Sequence, residues 1–360
     1  MYKEQITDKE GICLLSIFIM GSTLILGTGG DAKNDAWISG IVGMIMVIPM
    51  IIVYGRILIL FPGKDIYEIL IIVFGKYVGS FIAMLYVWYS FHLGALVMRN
   101  FGEFINTVTM PETPILFPIL CLSLVSIMAA RYGIEVMGRI SASILPVLLI
   151  IILIVAFLVI PQLQLSNVKP ILGGGFYPVL IGGFSAFSFP YAESVIFTSA
   201  AFALKTKRSI YRVYFYALII SGSIIVFLTL RNIMVLGIII GQLYFPSHVA
   251  VSKISIGSFL ERIEVTVAIV FVFGAFIKCA VCLFSASKGV ARIFNLKDYR
   301  SVVIQLGILM AYLAYIVYDN IMMMEFWAFK IYPYYAFPFQ VILPILIFIA
   351  ALVKTKKHEK

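Results

Sequence analysis

Ten stretches of about 20 residues each in this chain carry almost no charge, and that pattern constrains the fold more than any motif does. Runs free of Asp, Glu, Lys and Arg cover 11–30, 36–55, 77–98, 113–130, 140–160, 170–192, 213–230, 301–318 and 331–353, and a tenth, 265–287, is interrupted only by Lys278. A helix needs roughly 20 residues to cross about 30 Å of hydrocarbon. The runs therefore predict an all-α polytopic membrane protein of about ten transmembrane helices, with the short 113–130 run leaving nine or eleven open. Composition agrees: 62% of the residues are hydrophobic and 12% charged, against about half and about a quarter in soluble domains.

Basic residues orient the bundle. With the N-terminus cytoplasmic, the segments on that side hold 19 of the 27 Lys and Arg; the opposite loops hold Lys33, Lys169, Arg231, Lys253, Arg262 and Lys330, and Arg99 and Lys278 fall within spans. The positive-inside rule then predicts both termini in the cytoplasm, with 354–360 as a tail. The net charge of +10 reads as topology and attraction to anionic lipid. Nucleic acid is not an expected partner, because neither a soluble module nor a basic stripe with interleaved aromatics is present. The opening MYKEQITDKE carries both charge signs and leads into an apolar run without a small-residue cleavage site, so the first helix is expected to be retained. Cys13, Cys121, Cys279 and Cys282 all lie in apolar runs and are expected to be buried thiols rather than a disulfide framework or a metal site.

Connections between runs are short, which predicts a single transmembrane domain over 1–360. No phosphate-binding loop, HExxH, nucleophile elbow or paired loop carboxylates is present, so no enzymatic activity, cofactor or metal is expected. Gly173–Gly175 lacks the strand and helix context of a dinucleotide fingerprint.

Two spans read as broken. Residues 170–204 contain Glu193 as their only charge, and as one helix they would reach about 52 Å, well beyond a bilayer. Within Phe187-Ser188-Phe189-Pro190-Tyr191-Ala192-Glu193, Pro190 removes a backbone donor and disfavours helical geometry before it. The first span has a weak point at Gly21-Ser22-Thr23, a glycine followed by two hydroxyl residues that compete with the helical ladder. The breaks fall in the first helix of each group of five. An odd number of spans per half forces duplicated halves into opposite topology, so a five-plus-five inverted repeat is expected, with halves 1–165 and 166–353 and unwound segments facing each other at the bilayer midplane. The simpler alternative is a kinked, tilted sixth helix.

Charges inside lipid mark candidate sites. A carboxylate there costs about 2.5 to 3.5 kcal/mol, so Glu193 must face a cavity, a partner or a proton. It either contacts a ligand or proton, or caps the second half-helix. Lys278, nine residues before Lys288, either occupies an internal cation position in place of a coupling metal ion or bridges helices. On the third span His92, Arg99 and Glu103 share one helical face. Arg99 and Glu103 form an i,i+4 pair that is either self-neutralising or a gate, and His92 is either structurally satisfied or a proton relay. Tyr86, Trp88 and Tyr89 are candidate pocket walls or members of an interfacial belt.

The chain resembles the B subunit of endospore germinant receptors, the permease-like proteins of spore germination within the amino acid, polyamine and organocation transporter superfamily. The likeness runs through ITDKEGICLLSIFIMGSTLILG at the start, DAWIS at 35–39, FPGKDIYEI at 61–69, FGKYVG at 74–79, YGIEVMGRIS at 132–141, FSFPYAE at 187–193, LRNIMVLG at 230–237, SIGSFLERIE at 255–264 and GAFIK at 274–278. The resemblance implies a LeuT-like five-plus-five inverted repeat with broken helices 1 and 6. It also implies a nutrient sensor in the inner membrane of the spore that works with a membrane-bound A subunit and a lipoprotein C subunit and recognises an amino acid or sugar. Carried onto this sequence, the ligand site takes Gly21, Ser22 and Thr23 at the first break and Ser188, Phe189, Pro190, Tyr191 and Glu193 at the second, with Tyr89 and Lys278 on the facing third and eighth spans. Glu193, His92, Arg99 and Glu103 are the proton or gating candidates. A proton-coupled amino acid permease is the alternative function, and a membrane scaffold with a vestigial pocket is a third.

Overall fold

The structure, a computed structural model, describes residues 4–204, 206–254 and 263–358. It is helical throughout, and its elements follow the apolar runs. Thr7 and Glu10 start the first span with a capping box, the Glu10 amide donating to Thr7 Oγ1 at 3.3 Å and the Thr7 amide donating to Glu10 Oε2 at 2.7 Å. The first span is α1 (Asp8–Met20) followed by the single turn α2 (Thr23–Leu26); the second is α3 (Ala36–Leu60). The third is α4 (Ile66–Phe104), which turns sharply at Gly75, where φ is +78°. Then come α5 (Leu116–Tyr132), α6 (Ile134–Leu158), α7 (Phe176–Ser188) with 3₁₀ turns over 191–203, and α8 (Lys207–Leu236). A short α9 (Pro246–Ser252) precedes α10 (Val265–Ile293) and α11 (Val303–Ile316). The tenth span is assembled from α12 (Ile321–Phe326), α13 (Tyr332–Phe337) and α14 (Leu343–His358), joined through π-helical segments.

Each of the ten runs thus maps to a helical segment, including the short fourth one. Among the described residues seven helices are long and apolar enough to cross a membrane, and Leu116–Tyr132 and Val303–Ile316 are shorter apolar helices. The motif at 255–264 lies outside the described residues except for Ile263 and Glu264.

Both breaks are present. Helix α1 stops at Met20, and Gly21 takes φ +25°, ψ −123°, a conformation that a side chain resists. Helix α7 stops at Ser188, before Phe189-Pro190. The first and sixth spans lie side by side and antiparallel, and hydrogen bonds tie them along their length. At one end the Ile6 amide donates to the Ala203 carbonyl at 3.0 Å; midway Thr28 Oγ1 donates to the Phe189 carbonyl at 3.1 Å; at the other end the Leu172 amide donates to Asp35 Oδ1 at 3.0 Å. Beyond this pair, α3 packs on α8, α4 on α10 and α5 on α11. Second meets seventh, third meets eighth and fourth meets ninth, the pairing expected when two five-span halves are related by a two-fold axis in the membrane plane.

Small residues let these backbones approach. A Cβ on Gly43 of α3 would sit 2.7 Å from Ala186 Cβ and 2.8 Å from the Phe187 amide, so the second span presses directly on the sixth just before its break. Two sequence expectations are corrected. Cys121 is exposed on the outer face of α5 rather than buried, because that side of the helix has no protein neighbour. Arg231, assigned above to a loop, is buried within α8, which continues past the apolar run to Leu236.

Candidate functional site

The second break delivers Glu193 to the interior. Residues 191–199 form a 3₁₀ helix that begins after Pro190, and its tighter winding turns Glu193 inward, where it is fully buried. Its carboxylate is not an N-terminal cap: Pro190 occupies that position and makes no side-chain hydrogen bond. One carboxylate oxygen instead pairs with the Lys278 ammonium, and the other accepts a hydrogen bond from Tyr332 Oη at 2.6 Å. Lys278 is also fully buried, so its head does not reach an interface.

The lysine lies in the notch of the first break. A Cβ on Gly21 would meet Lys278 Cδ at 2.5 Å and Nζ at 3.3 Å, so only glycine leaves room for this side chain. The ammonium sits 5.4 Å from the Phe18 ring centre and 5.3 Å from that of Phe189, one aromatic from each broken span. Gly274, one turn before Lys278, packs on the Gly21 backbone with its Cβ position 3.2 Å from the Gly21 carbonyl oxygen. The cation thus stands between the two interruptions, in contact with both.

A chain of neutral polar groups continues from the ion pair. Tyr332 Oη and Tyr89 Oη are 3.0 Å apart, Gln340 Nε2 donates to Tyr89 Oη and to the Ser188 carbonyl, both at 2.8 Å, and Ser188 Oγ donates to Gln340 Oε1 at 3.0 Å. Tyr54 Oη donates to the Gln340 carbonyl. Tyr89 also stacks on Phe339 at 4.8 Å. Backbone acceptors released by the second break are therefore satisfied from the side, Ser188 by Gln340 and Phe189 by Thr28, as unwound backbone inside a membrane requires.

Of the ligand-site residues read from the sequence, Gly21, Tyr89, Ser188, Phe189, Glu193 and Lys278 converge on this network. Ser22 and Thr23 are buried at the first break, and their hydroxyls have no hydrogen-bond partner among the described residues. Pro190 shapes the turn. Tyr191 points elsewhere: its Oη lies 4.0 Å from a Cβ position on Gly40 of α3 and has no partner among the described residues. The hollow expected between the breaks is filled by Lys278, Tyr332 and Gln340.

The third-span residues divide. Arg99 and Glu103 pair at 2.8 Å, and the same guanidinium donates to the carbonyls of Ala314 and Tyr315 at 3.3 and 2.6 Å, fastening the third span to the end of the ninth. His92 lies apart from the Glu193 carboxylate, in an aromatic cluster. It stacks on Trp88 at 5.3 Å and meets Trp327 and Tyr335 edge-on at 5.9 and 5.2 Å. Its Nδ1 has no hydrogen-bond partner among the described residues.

Sequence reasoning missed Tyr332, Gln340 and Thr28. Gln340 had a signal, since it is the one amide in the apolar run 331–353. Tyr332 had none, being one of several tyrosines at a span end.

The family described as "Spore germination protein" matches residues 5–322. The chain belongs to that family. Spore germination protein KB of Bacillus subtilis (strain 168) is 27% identical over 365 aligned residues, covering 100% of this chain and 98% of its own. Spore germination protein YndE of the same organism is 25% identical over 81% of each chain. Among solved structures, Mhp1, a nucleobase-cation-symport-1 family transporter in a closed conformation with bromovinylhydantoin bound, aligns over 98% of this chain and 91% of its own with a TM-score of 0.67 at 12% identity. MhsT in complex with L-phenylalanine aligns over 99% and 93% with a TM-score of 0.64 at 15% identity. The fold is the LeuT-like five-plus-five inverted repeat with broken first and sixth helices, and the protein is a multi-pass membrane protein.

Proposed function

We propose that this protein is the nutrient-sensing membrane subunit of a spore germination receptor, and that its ligand is a zwitterionic amino acid bound between the two breaks. The observation that carries this reading is the buried Glu193–Lys278 pair, wedged against Gly21 and bonded onward to Tyr332. An amino acid has the same two charges on one carbon, so its ammonium can replace Lys278 at Glu193 while its carboxylate takes up the released lysine. Charge stays balanced throughout the exchange, which is what makes it feasible out of water. Because Lys278 fills the notch at Gly21, moving it frees the first break to rearrange.

Binding then shifts a population. The ligand favours whichever arrangement of the two broken spans holds it better, and it moves the equilibrium by that difference alone. The signal passes to partner A and C subunits at the inner membrane of the spore, with both termini of this chain on the cytoplasmic side. Arg99 and Glu103 serve in this scheme as a fixed clamp, and His92 lines the outer approach.

The test is direct. Spores carrying Glu193→Gln together with Lys278→Met, which removes both charges of the pair, are expected to lose the amino acid response while retaining the protein at normal abundance, and the purified wild-type protein is expected to be thermally stabilised by one amino acid and by neither its decarboxylated amine nor a sugar. Stabilisation by a sugar alone would replace the ligand class. Accumulation of a labelled amino acid in vesicles containing this chain alone would replace the sensor with the proton-coupled permease, a reading that the shared transporter fold favours. An unaltered response in Glu193→Gln and Gly21→Leu spores would leave a scaffold.

A further inference from the structure

Among the described residues three Lys or Arg side chains lie deep in the bundle, and two have a carboxylate. Lys278 has Glu193 and Arg99 has Glu103. Arg231, near the end of α8 and only 6% exposed, has none within ion-pairing distance among the described residues. Its Nε and Nη2 both donate to Asn232 Oδ1, at 3.1 and 2.6 Å, and Asn232 Nδ2 donates on to Ser247 Oγ at 3.0 Å. Two of the five guanidinium N–H groups are thus committed to a neutral amide. A buried guanidinium hydrogen-bonded to a neutral amide has no paired carboxylate among the described residues to balance its charge.

Arg231 also lines a cavity. The cavity is small, about 30 Å³, and opens at a mouth; its polar wall consists of Arg231, Ser247 and Thr266. The rest is aliphatic, with Leu24, Ile152 and Val270 among its lining residues. Thr266 Oγ1 is already spent on the Ile263 carbonyl at 2.6 Å, whereas Ser247 accepts from Asn232 and keeps its own hydroxyl hydrogen to donate. No acidic side chain is among the described lining residues. One positive charge without a paired carboxylate and one hydroxyl donor in a small opening with aliphatic walls match a carboxylate group whose hydrocarbon body extends through the mouth.

We propose that the Arg231 pocket is a second ligand site, separate from the Glu193–Lys278 site, which binds an aliphatic monocarboxylate with its carboxylate on the Arg231 guanidinium and the Ser247 hydroxyl. Leu24 belongs to α2, the single turn just beyond the first break, while Ile152 belongs to α6 and Val270 to α10. An occupant therefore touches the short half-helix that must move if the first break rearranges, and so modulates the nutrient response without entering its site. The carboxylate can come from a small solute or from a fatty acid in the bilayer.

The experiment uses the full chain in phosphatidylcholine nanodiscs, with melting temperature as readout and sodium isobutyrate, isobutyramide, sodium chloride and sodium oleate as probes. Isobutyrate near saturation is expected to raise the melting temperature by about 2–4 °C, and neither the isosteric amide nor chloride should do so. Arg231→Gln abolishes the shift, Arg231→Lys retains part of it because a point charge replaces the fork, and Thr266→Leu reduces it by narrowing the chamber without removing charge. Glu193→Gln leaves it intact, which separates this site from the mid-membrane one. An Arg231-dependent shift with oleate but not isobutyrate assigns the site to membrane fatty acid. No shift with either acid, an equal shift with the amide or chloride, or an undiminished shift in both Arg231→Gln and Thr266→Leu overturns the proposal. Should Arg231→Gln fail to fold, Arg231→Lys and Thr266→Leu decide it.

Discussion

Arg99–Glu103 and Glu193–Lys278 are both ion pairs removed from water, but they are built differently. The first joins residues one helical turn apart on α4, and its arginine reaches two carbonyls of the neighbouring ninth span. The second joins residues 85 positions apart, from the 3₁₀ segment of one broken span to the middle of α10. A local pair moves with its own helix and holds it in place. A pair that crosses from a broken span to an intact one is strained or released whenever the two shift relative to each other. Compensated charge in a membrane protein therefore serves two ends: the i,i+4 pair fixes a joint, and the long-range pair connects parts that can separate.

The sharpest way to break this comparison is to remove one partner of the long-range pair. Lys278→Met leaves a buried carboxylate uncompensated and is expected to cost about 3–5 kcal/mol; combining it with Glu193→Gln should recover most of that loss in thermal unfolding. Equal losses in the single and double variants would show that the pair does not act as a unit. Next in size, Tyr332→Phe removes the 2.6 Å hydrogen bond to Glu193 and should cost about 1.5–3 kcal/mol, read by the same melting assay. Gly21→Ala drives a Cβ into Lys278 at a positive φ and should cost about 1–3 kcal/mol, with the nutrient dose-response of germination shifted as well. A wild-type melting temperature there would mean that the lysine can leave its notch freely. The smallest effect belongs to the local pair. Glu103→Gln strands the charge of buried Arg99 but keeps an amide acceptor and both carbonyl contacts beside it, so about 1–2 kcal/mol is expected, below the cost of Lys278→Met, with the germination dose-response unchanged. A change in the nutrient threshold would make that pair a gate.

Much of this was legible one segment at a time. The apolar runs placed ten spans because crossing lipid demands a fixed length of uncharged chain, and even 113–130 became a helix of nearly the expected extent. Pro190 announced the second break because its missing donor acts wherever it stands. The first break was fainter, since glycine permits an interruption without enforcing one; Gly21 adopts its unusual backbone because Lys278 and Gly274 press on it from α10. The repeat was readable only as an odd span count. Residue identity between the halves was not evident, and the ties between the first and sixth spans, from Ile6 to Ala203 and from Asp35 to Leu172, had no sequence signature.

What the sequence by itself determined is the membrane-spanning class, a count of about ten spans and the place where the sixth helix could not continue. These follow from hydrophobic length and proline chemistry, which are properties of a residue and its immediate neighbours. Only the tertiary structure decided that Glu193 would meet Lys278 and Tyr332, that Gln340 would serve the opened backbone at Ser188, and that Arg231 would lack an acid among the described residues. Those outcomes depend on which side chains packing brings within a few ångströms across large separations in the chain. In lipid, where an unmatched charge or peptide group has no water to turn to, that placement determines which charges are held in pairs and which remain open to a ligand.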